Sequence, residues 1–211
     1  MGKPLILIGG GGHAKSCIDV IEESGNFTIE GIIDVPDKLD SQVLGYRVIG
    51  NDNDIAGLIK QGYWFLITIG QIKSALPRTK TWQLLSSNNA NIATVISPLS
   101  HVSKYAIVNK GSIIMHGAYI NAGAVIGCNA IINTRAVIEH DSTIGDHCHI
   151  STGVLVNGSC KIGEEVFVGS GATINHGVNI VNDVRIGSGS LVHKNIKEPG
   201  TYIGVPFTRI A

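Results

Sequence analysis

Aromatic residues are scarce in this 211-residue chain: Phe, Trp and Tyr together make up 5%. Packing is therefore left to aliphatic side chains. Charge is also low and balanced, with 16 Lys and Arg against 16 Asp and Glu. No basic stripe or acidic tail marks a nucleic-acid or membrane-surface partner, so neither is expected. The four cysteines (Cys17, Cys128, Cys148, Cys160) form no CxxC pair, which argues against a thiol redox motif and for reduced packing residues. Long apolar runs are missing too. The opening run Pro4–Ile8 is too short for a membrane span, and no small-residue cleavage site follows it. A cytoplasmic protein without membrane insertion is expected. At this length the chain has room for one large domain or two modest ones.

What the chain does have is a period of six. Ile or Val occupies every sixth position from Ile96 to Val192, through Val108, Ile120, Ile132, Ile144, Val156, Val168 and Ile180 among others. Two residues before these positions the side chain is small or β-branched: Ala118, Ala124, Ala130, Ala136, Ser142, Cys148, Val154, Cys160, Val166, Ala172. No α-helix has this period, and a hexapeptide repeat signals a parallel β-helix. Three such faces make one coil, so each residue should lie beneath the one 18 further on. Frequent glycine (27) suits the tight corners.

Before residue 95 the hexad is absent. Pro4–Gly9 reads as a buried strand, and Ala14, Cys17, Ile18 and Ile21 fall on one face of a helix. A second strand, Phe27–Ile33, stops at Asp34, and Tyr63–Ile69 supplies at least one more. This is a small Rossmann-like βαβ unit, short of a full dinucleotide fold. The expected organisation is an α/β domain over 1–94 followed by an all-β parallel β-helix over 95–211. The connecting loop, Gly9-Gly10-Gly11-Gly12-His13-Ala14, formally satisfies G-x-G-x-x-A. Glycines let backbone approach a pyrophosphate, and a helix N-terminus offers free N–H groups. Asp34 could accept hydrogen bonds from a ribose or base edge. NAD would fit these features; the domain's small size and its attachment to a β-helix favour a nucleotide-sugar.

Chemistry is expected where polar residues cluster, from Glu139 to His149. His140 stands beside Asp141, and a carboxylate next to an imidazole fixes its tautomer for general-base work. Counting by 18 places Gly158 above His140, a bare wall where a thioester carbonyl could meet the Gly158 N–H. His149, nine residues on, belongs to another wall, so a site using both histidines must be completed between subunits. His147-Cys148-His149 resembles an H-x-H metal pair but lacks a third ligand, and no metal is expected. Asn121, Asn157 and Asn175 recur after ladder positions and read as structural.

These residues together resemble a known family. The chain is similar to the bacterial sugar acyltransferases that join a nucleotide-sugar-binding βαβ domain to a left-handed β-helix, among them the sialic acid O-acetyltransferases and the PglD-type UDP-4-amino-sugar N-acetyltransferases. The marks are Ile8-Gly9-Gly10-Gly11-Gly12-His13-Ala14-Lys15, Gly31-Ile32-Ile33-Asp34, Thr68-Ile69-Gly70, Glu139-His140-Asp141, His149 and Tyr202-Ile203-Gly204-Val205-Pro206. The resemblance implies acetyl-CoA as donor, a homotrimer with CoA between adjacent prisms, and a nucleotide-sugar acceptor in surface glycan biosynthesis. It implies His140 as general base oriented by Asp141, with His149 helping to position the donor beside Gly158. It further implies that Gly11, Gly12, His13, Asp34 and Gly70 hold the nucleotide-sugar. The chain departs from the family pattern at Gln71, where asparagine is common, and at Pro206-Phe207-Thr208-Arg209. The expected reaction is N-acetylation of a 4-amino group on a nucleotide-linked, UDP-type deoxysugar. O-acetylation of sialic acid or another sugar hydroxyl, and a non-catalytic trimeric scaffold, are the rival readings.

Overall fold

The computed structural model describes residues 2–205 and 207–210; the family mark at Pro206 lies outside them. The chain forms two compact units, Met1–Gly70 with Leu76–Val95, and Gln71–Ala75 with Ile96–Ala211. This differs in one segment from a single cut at 94/95: residues 71–75 belong with the coils. His149 Nδ1 donates to the Gln71 carbonyl (2.7 Å), Gln71 Nε2 donates to the Glu165 carbonyl (3.3 Å), and an Arg185 N–H reaches the Lys73 carbonyl (3.3 Å).

The first unit runs β1 (Lys3–Ile8), α1 (Gly12–Ser24), β2 (Phe27–Ile33), β3 (Gln42–Val43), β4 (Tyr46–Gly50), α2 (Ile55–Lys60), β5 (Trp64–Ile67), α3 (Leu76–Ser87) and β6 (Asn91–Ile92). Its sheet has the order β3-β4-β2-β1-β5-β6. β1 is parallel to both β2 and β5, and only the short β3–β4 hairpin is antiparallel. Leu5 to Ile8 are buried, which is why β1 reads as an uninterrupted apolar run. α1 buries Ala14, Cys17, Ile18 and Ile21, the face anticipated from their spacing, and ends at left-handed Gly25. With β2 on one side of β1 and β5 on the other, the carboxyl ends of these strands open a crevice at a topological switch point.

The second unit is a left-handed parallel β-helix. Most of its strands are two residues long, and each stacks on the residue 18 away, as in Ile114↔Ile132, Ile132↔Ile150 and Ile150↔Val168. Ladder residues from Ile114 to Val192 are at most 4% exposed, and the small series from Ala118 to Ala172 at most 1%. Each buried isoleucine contributes about 1.5–3 kcal/mol relative to exposure, so the column dominates the unit's stability. The lowest coil packs less well: Ile96 is 38% exposed, and Val102 and Val108 are half-buried. At the other end the coil shortens. Ile180 bridges Ile196 and Ile186 pairs with Tyr202, whose ring joins the core.

A second period becomes visible only in the backbone. Every sixth residue from Gly111 to Gly189 has positive φ, including Asn129, Arg135, Asp141, His147, Ser159, Glu165 and Asp183. Half of these corners are not glycine, which hid the pattern in the sequence. Cys148 and Cys160 fill small inward positions, as expected, and direct their thiols to the carbonyls of Gly163 and Asn175.

Volume changes inside the prism should therefore cost most. Ile150→Ala is expected to destabilise by about 2–5 kcal/mol and Ala130→Leu by about 1–3 kcal/mol. Outward Lys161→Ala should stay within about 0.5 kcal/mol. Urea unfolding followed by circular dichroism checks this ranking.

Candidate active site

The glycine loop follows β1 and is held from three directions. Gly9 has φ +104°, and a Cβ there would lie 2.7 Å from Ile69 Cγ1, so only glycine fits. Buried Thr68 donates its hydroxyl to the Gly9 carbonyl at 2.6 Å, with the Ile8 carbonyl 3.1 Å away. Asp34 Oδ2 accepts from the Gly10 N–H (2.7 Å) and Lys38 Nζ (2.8 Å), and its Oδ1 accepts from the Val35 N–H (2.7 Å). Partial burial pushes the Asp34 carboxyl up, but these hydrogen bonds and the Lys38 charge outweigh it and leave its pKa lowered. Asp34 was expected to face the ligand. In the structure three protein donors already occupy its carboxylate, so its first effect is to anchor the loop.

Gly11 caps α1 without a side chain, and a Cβ on Gly11 or Gly12 would meet nothing within 4 Å. The space beside Gly11 and Gly12 at the helix N-terminus is therefore open, the kind of place that receives anions. His13 sits in that turn with Nε2 3.3 Å from Cys17 Sγ. Burial pushes the Cys17 thiol up to about 12, with Arg78 pulling slightly the other way, so it remains an S–H that donates to His13. Gly70 packs close by: a Cβ there would lie 3.4 Å from His13 Cβ. Gly9, Asp34, Asp52, Ile69 and Lys80 are among the residues lining a crevice of about 350 Å³ beside the loop. Thus Gly11, Gly12, His13, Asp34 and Gly70 come together in one neighbourhood.

The second cluster lies at a corner of the prism. His140 Nδ1 is 2.9 Å from Asp141 Oδ2. Asp141 adopts a left-handed conformation, φ 59°, which turns its carboxylate beside the preceding imidazole. An ionised Asp141 takes the Nδ1 proton as a hydrogen bond and leaves the lone pair on Nε2. Glu139 Oε2 accepts from Asn121 Nδ2 (2.8 Å) and lies 3.4 Å from the His140 N–H, steadying the same corner. Gly158 is indeed one coil above His140, but it does not leave a bare wall. A Cβ on Gly158 would lie 2.6 Å from His140 Nε2 and 2.7 Å from Cε1, so the imidazole itself fills that space. Among the described residues nothing accepts a hydrogen bond from the Gly158 N–H. The pair is open to solvent in the single chain, with side chains 53% and 68% exposed.

His149 lies on a different face from His140, as the count by nine anticipated. It is 6% exposed; Nδ1 donates to the Gln71 carbonyl and Nε2 accepts from Asn133 Nδ2 at 3.2 Å. In the single chain the ring is thus buried, with Nδ1 held by Gln71 and Phe167 edge-on at a centroid distance of 5.3 Å. His147 sits at a left-handed corner with Nδ1 2.9 Å from Asn129 Nδ2, so His147 and His149 do not point together as a metal pair. Among the described residues no three His, Cys, Asp or Glu are grouped to hold a metal ion. Asn121 and Asn157 spend their amides within the coils. Among the described residues no helix is long and apolar enough to cross a membrane.

Comparison with known proteins fits this geometry. Residues 4–74 match the PglD N-terminal domain, and residues 123–158 match the bacterial transferase hexapeptide (six repeats). PerB from Caulobacter crescentus, solved with CoA and GDP-perosamine, superposes with a TM-score of 0.92 at 33% identity, covering 100% of this chain and 98% of that one. This chain belongs to the PglD-type hexapeptide acetyltransferases. The acetyltransferase domain of PglB from Neisseria gonorrhoeae, solved with acetyl coenzyme A, has a TM-score of 0.91 at 27% identity, with full coverage of both chains. WeeI from Acinetobacter baumannii, at 18% identity and a TM-score of 0.78, shares the fold. Comparison with curated protein sequences finds no match.

Two outcomes test the geometry within this family member. Gly158→Ala should push the His140 imidazole off its seat, and a crystal structure of the variant is expected to show Nδ1 beyond hydrogen-bond reach of Asp141. An unmoved ring contradicts the assignment. Because folding depresses the Asp34 pKa, its hold on the loop is complete above the ordinary carboxylate value of about 4 and is lost as pH falls through the lower folded value. Protection of the Gly10 N–H, its exchange slowing relative to an unstructured amide at the same pH, should be lost in that acidic window in the wild type. In Asp34→Asn that protection should be low at every pH.

Proposed function

We propose that this protein transfers the acetyl group of acetyl-CoA to the amino group of a nucleotide-linked sugar, with His140 as general base. The observation that carries the reading is the His140–Asp141 pair seated over Gly158 in a chain whose relative PerB, alike over its whole length, is solved with CoA and GDP-perosamine. In this reading the acceptor amine arrives as the free base and attacks the thioester carbon. His140 Nε2 takes the proton lost from nitrogen, Asp141 stabilises the imidazolium, and the Gly158 N–H faces the developing oxyanion. Collapse of the tetrahedral centre breaks the C–S bond and releases the CoA thiolate.

The nucleotide end is assigned to the glycine loop. The first-turn amides from Gly11 to His13 meet the diphosphate, Asp34 holds the loop in place, and Gly70 allows close approach beside His13. The finer acceptor is a 4-amino-deoxysugar. Uridine is the nucleotide the family resemblance implies, and the guanosine of PerB's ligand makes GDP-sugars the natural comparison.

A homotrimer completes the site. Tyr119, Val137 and Leu155 stack outward on one face, Tyr119 and Leu155 being 42% and 45% exposed, and His140 stands at that face's edge. A second copy against this face would cover the half-exposed pair and exclude water. The donor-side role of His149 is then indirect, through the segment it holds. Acetyl-CoA and nucleotide-sugars as substrates go with a cytoplasmic enzyme.

A thiol-release assay with acetyl-CoA tests the reading, offering UDP- and GDP-linked 4-amino-sugars beside CMP-sialic acid and free sialic acid. Amino-sugars are expected to be used, and His140→Ala should lower kcat by about two to four orders of magnitude with CoA affinity little changed. Preference for the hydroxyl acceptors would replace N- with O-acetylation. Near-normal turnover in the variant would remove His140 from the mechanism.

A further inference from the structure

The column that seats His140 continues past Gly158 to His176, since each coil adds 18 residues and Leu155↔Thr173 fixes the register. Because His140 leans upward into the space a Gly158 side chain would fill, it comes close to this next imidazole: the ring centroids are 6.3 Å apart with an interplanar angle of 45°. His176 is exposed, and among the described residues its ring makes no hydrogen bond. The Asp141 contact holds His140 Nδ1, so the nitrogen of His140 turned toward Gly158 is the basic Nε2. Two imidazoles thus flank one glycine, the lower with its lone pair directed there and the upper with ring nitrogens unengaged.

We propose that His176 is a further catalytic residue of the transfer step, donating an N–H hydrogen bond to the thioester sulfur as it leaves. The inference rests on the acetyl-transfer reading above. Once the acceptor nitrogen bonds to the carbonyl carbon, its proton passes to His140 Nε2 and the C–S electron pair moves onto sulfur. A neutral His176 carries an N–H that can stabilise this pair without giving up its proton; the thiolate leaves, and His140 returns its proton to solvent or to sulfur. Rings whose centroids are 6.3 Å apart are near enough for a single tetrahedral centre beside Gly158 to touch both, nitrogen toward one and sulfur toward the other. Electrostatic stabilisation of a leaving group of this kind acts on kcat rather than on substrate binding.

The test compares His176→Phe, which keeps a ring but no donor, with His176→Gln, which keeps an N–H. Both are measured with acetyl-CoA and the best amino-sugar acceptor, beside wild type and His140→Ala. Phenylalanine is expected to lower kcat roughly 10- to 100-fold with KM for both substrates within about twofold, and glutamine to recover most of the loss. Thermal unfolding of each variant checks that the coils are intact; a surface substitution should leave it unchanged. Turnover of His176→Phe within twofold of wild type overturns the proposal, as does a glutamine variant no better than phenylalanine. Either result, with His140→Ala still inactive, leaves acetyl transfer standing. A wild type that releases no thiol with any acceptor would instead sink the acetyl-transfer reading itself.

Discussion

Vertical register between coils is the constraint on which the rest depends. A two-residue strand has no stability of its own; each is held by N–H to carbonyl bonds to the coils above and below, as in His149 N–H to the Val166 carbonyl and Ile131 N–H to the Cys148 carbonyl. Those bonds hold only while every coil presents a large aliphatic and a small side chain inward at the same places. The periodicity is therefore not a decoration of the fold but the condition for its hydrogen bonds. Its consequence for chemistry is that every corner residue has a fixed neighbour 18 positions away. His140 can occupy its place because residue 158 lacks a side chain, and Asp141 likewise because residue 123 does: a Cβ on Gly123 would lie 2.5 Å from Asp141 Oδ1. Two glycines a coil to either side thus shape one histidine–aspartate pair.

The first unit solves a different problem with similar means. On the proposed reading its loop must offer backbone amides to an anion without collapsing onto its own acidic neighbour. Asp34 carries a negative charge next to the loop, which would oppose a diphosphate. That charge is balanced within 3 Å by Lys38 and by two backbone N–H donors, so what the loop presents outward is the uncapped start of α1. The same ion pair explains why the carboxyl pKa falls despite partial burial. Thr68 adds a hydroxyl beneath Gly9, tying the end of β5 to the loop after β1. Thr68-Ile69-Gly70 is thus a fastening for the glycine loop.

Much of this was legible in the residues. A period of six is a long-range signal written locally, so the prism, its coil length and the stacking of Gly158 on His140 followed from counting. The helix face of Ala14, Cys17, Ile18 and Ile21 followed from its own period. Side-chain direction did not. Counting placed glycine over histidine but could not tell that the imidazole would lean into the vacancy, nor that doing so would bring it toward His176. His149 looked available because its polar neighbours suggested a surface. Its Nδ1 is instead held by the Gln71 carbonyl, and no periodicity connects Gln71 to a position 78 residues away. The donors that engage Asp34 were hidden for the same reason, since they come from Gly10 and Lys38 on separate segments. The left-handed corners escaped because side chains such as Arg135 and Glu165 occupy them at a cost glycine would avoid.

The exposure of the His140–Asp141 pair bears on what the aspartate does. With both side chains more than half exposed, the attraction between an imidazolium and a carboxylate is screened and worth little in the isolated chain. Orientation is not screened. The 2.9 Å contact selects the Nδ1–H tautomer whether or not water is present, and it points Nε2 at Gly158. On the proposed reading, then, Asp141 in one chain directs the base rather than supplying a field. The electrostatic share appears only when water leaves, which the proposed trimer and a bound donor accomplish together. On that proposal catalytic power is tied to assembly and occupancy: the geometry is prepared in the monomer, and the dielectric that makes it effective is supplied by what covers it.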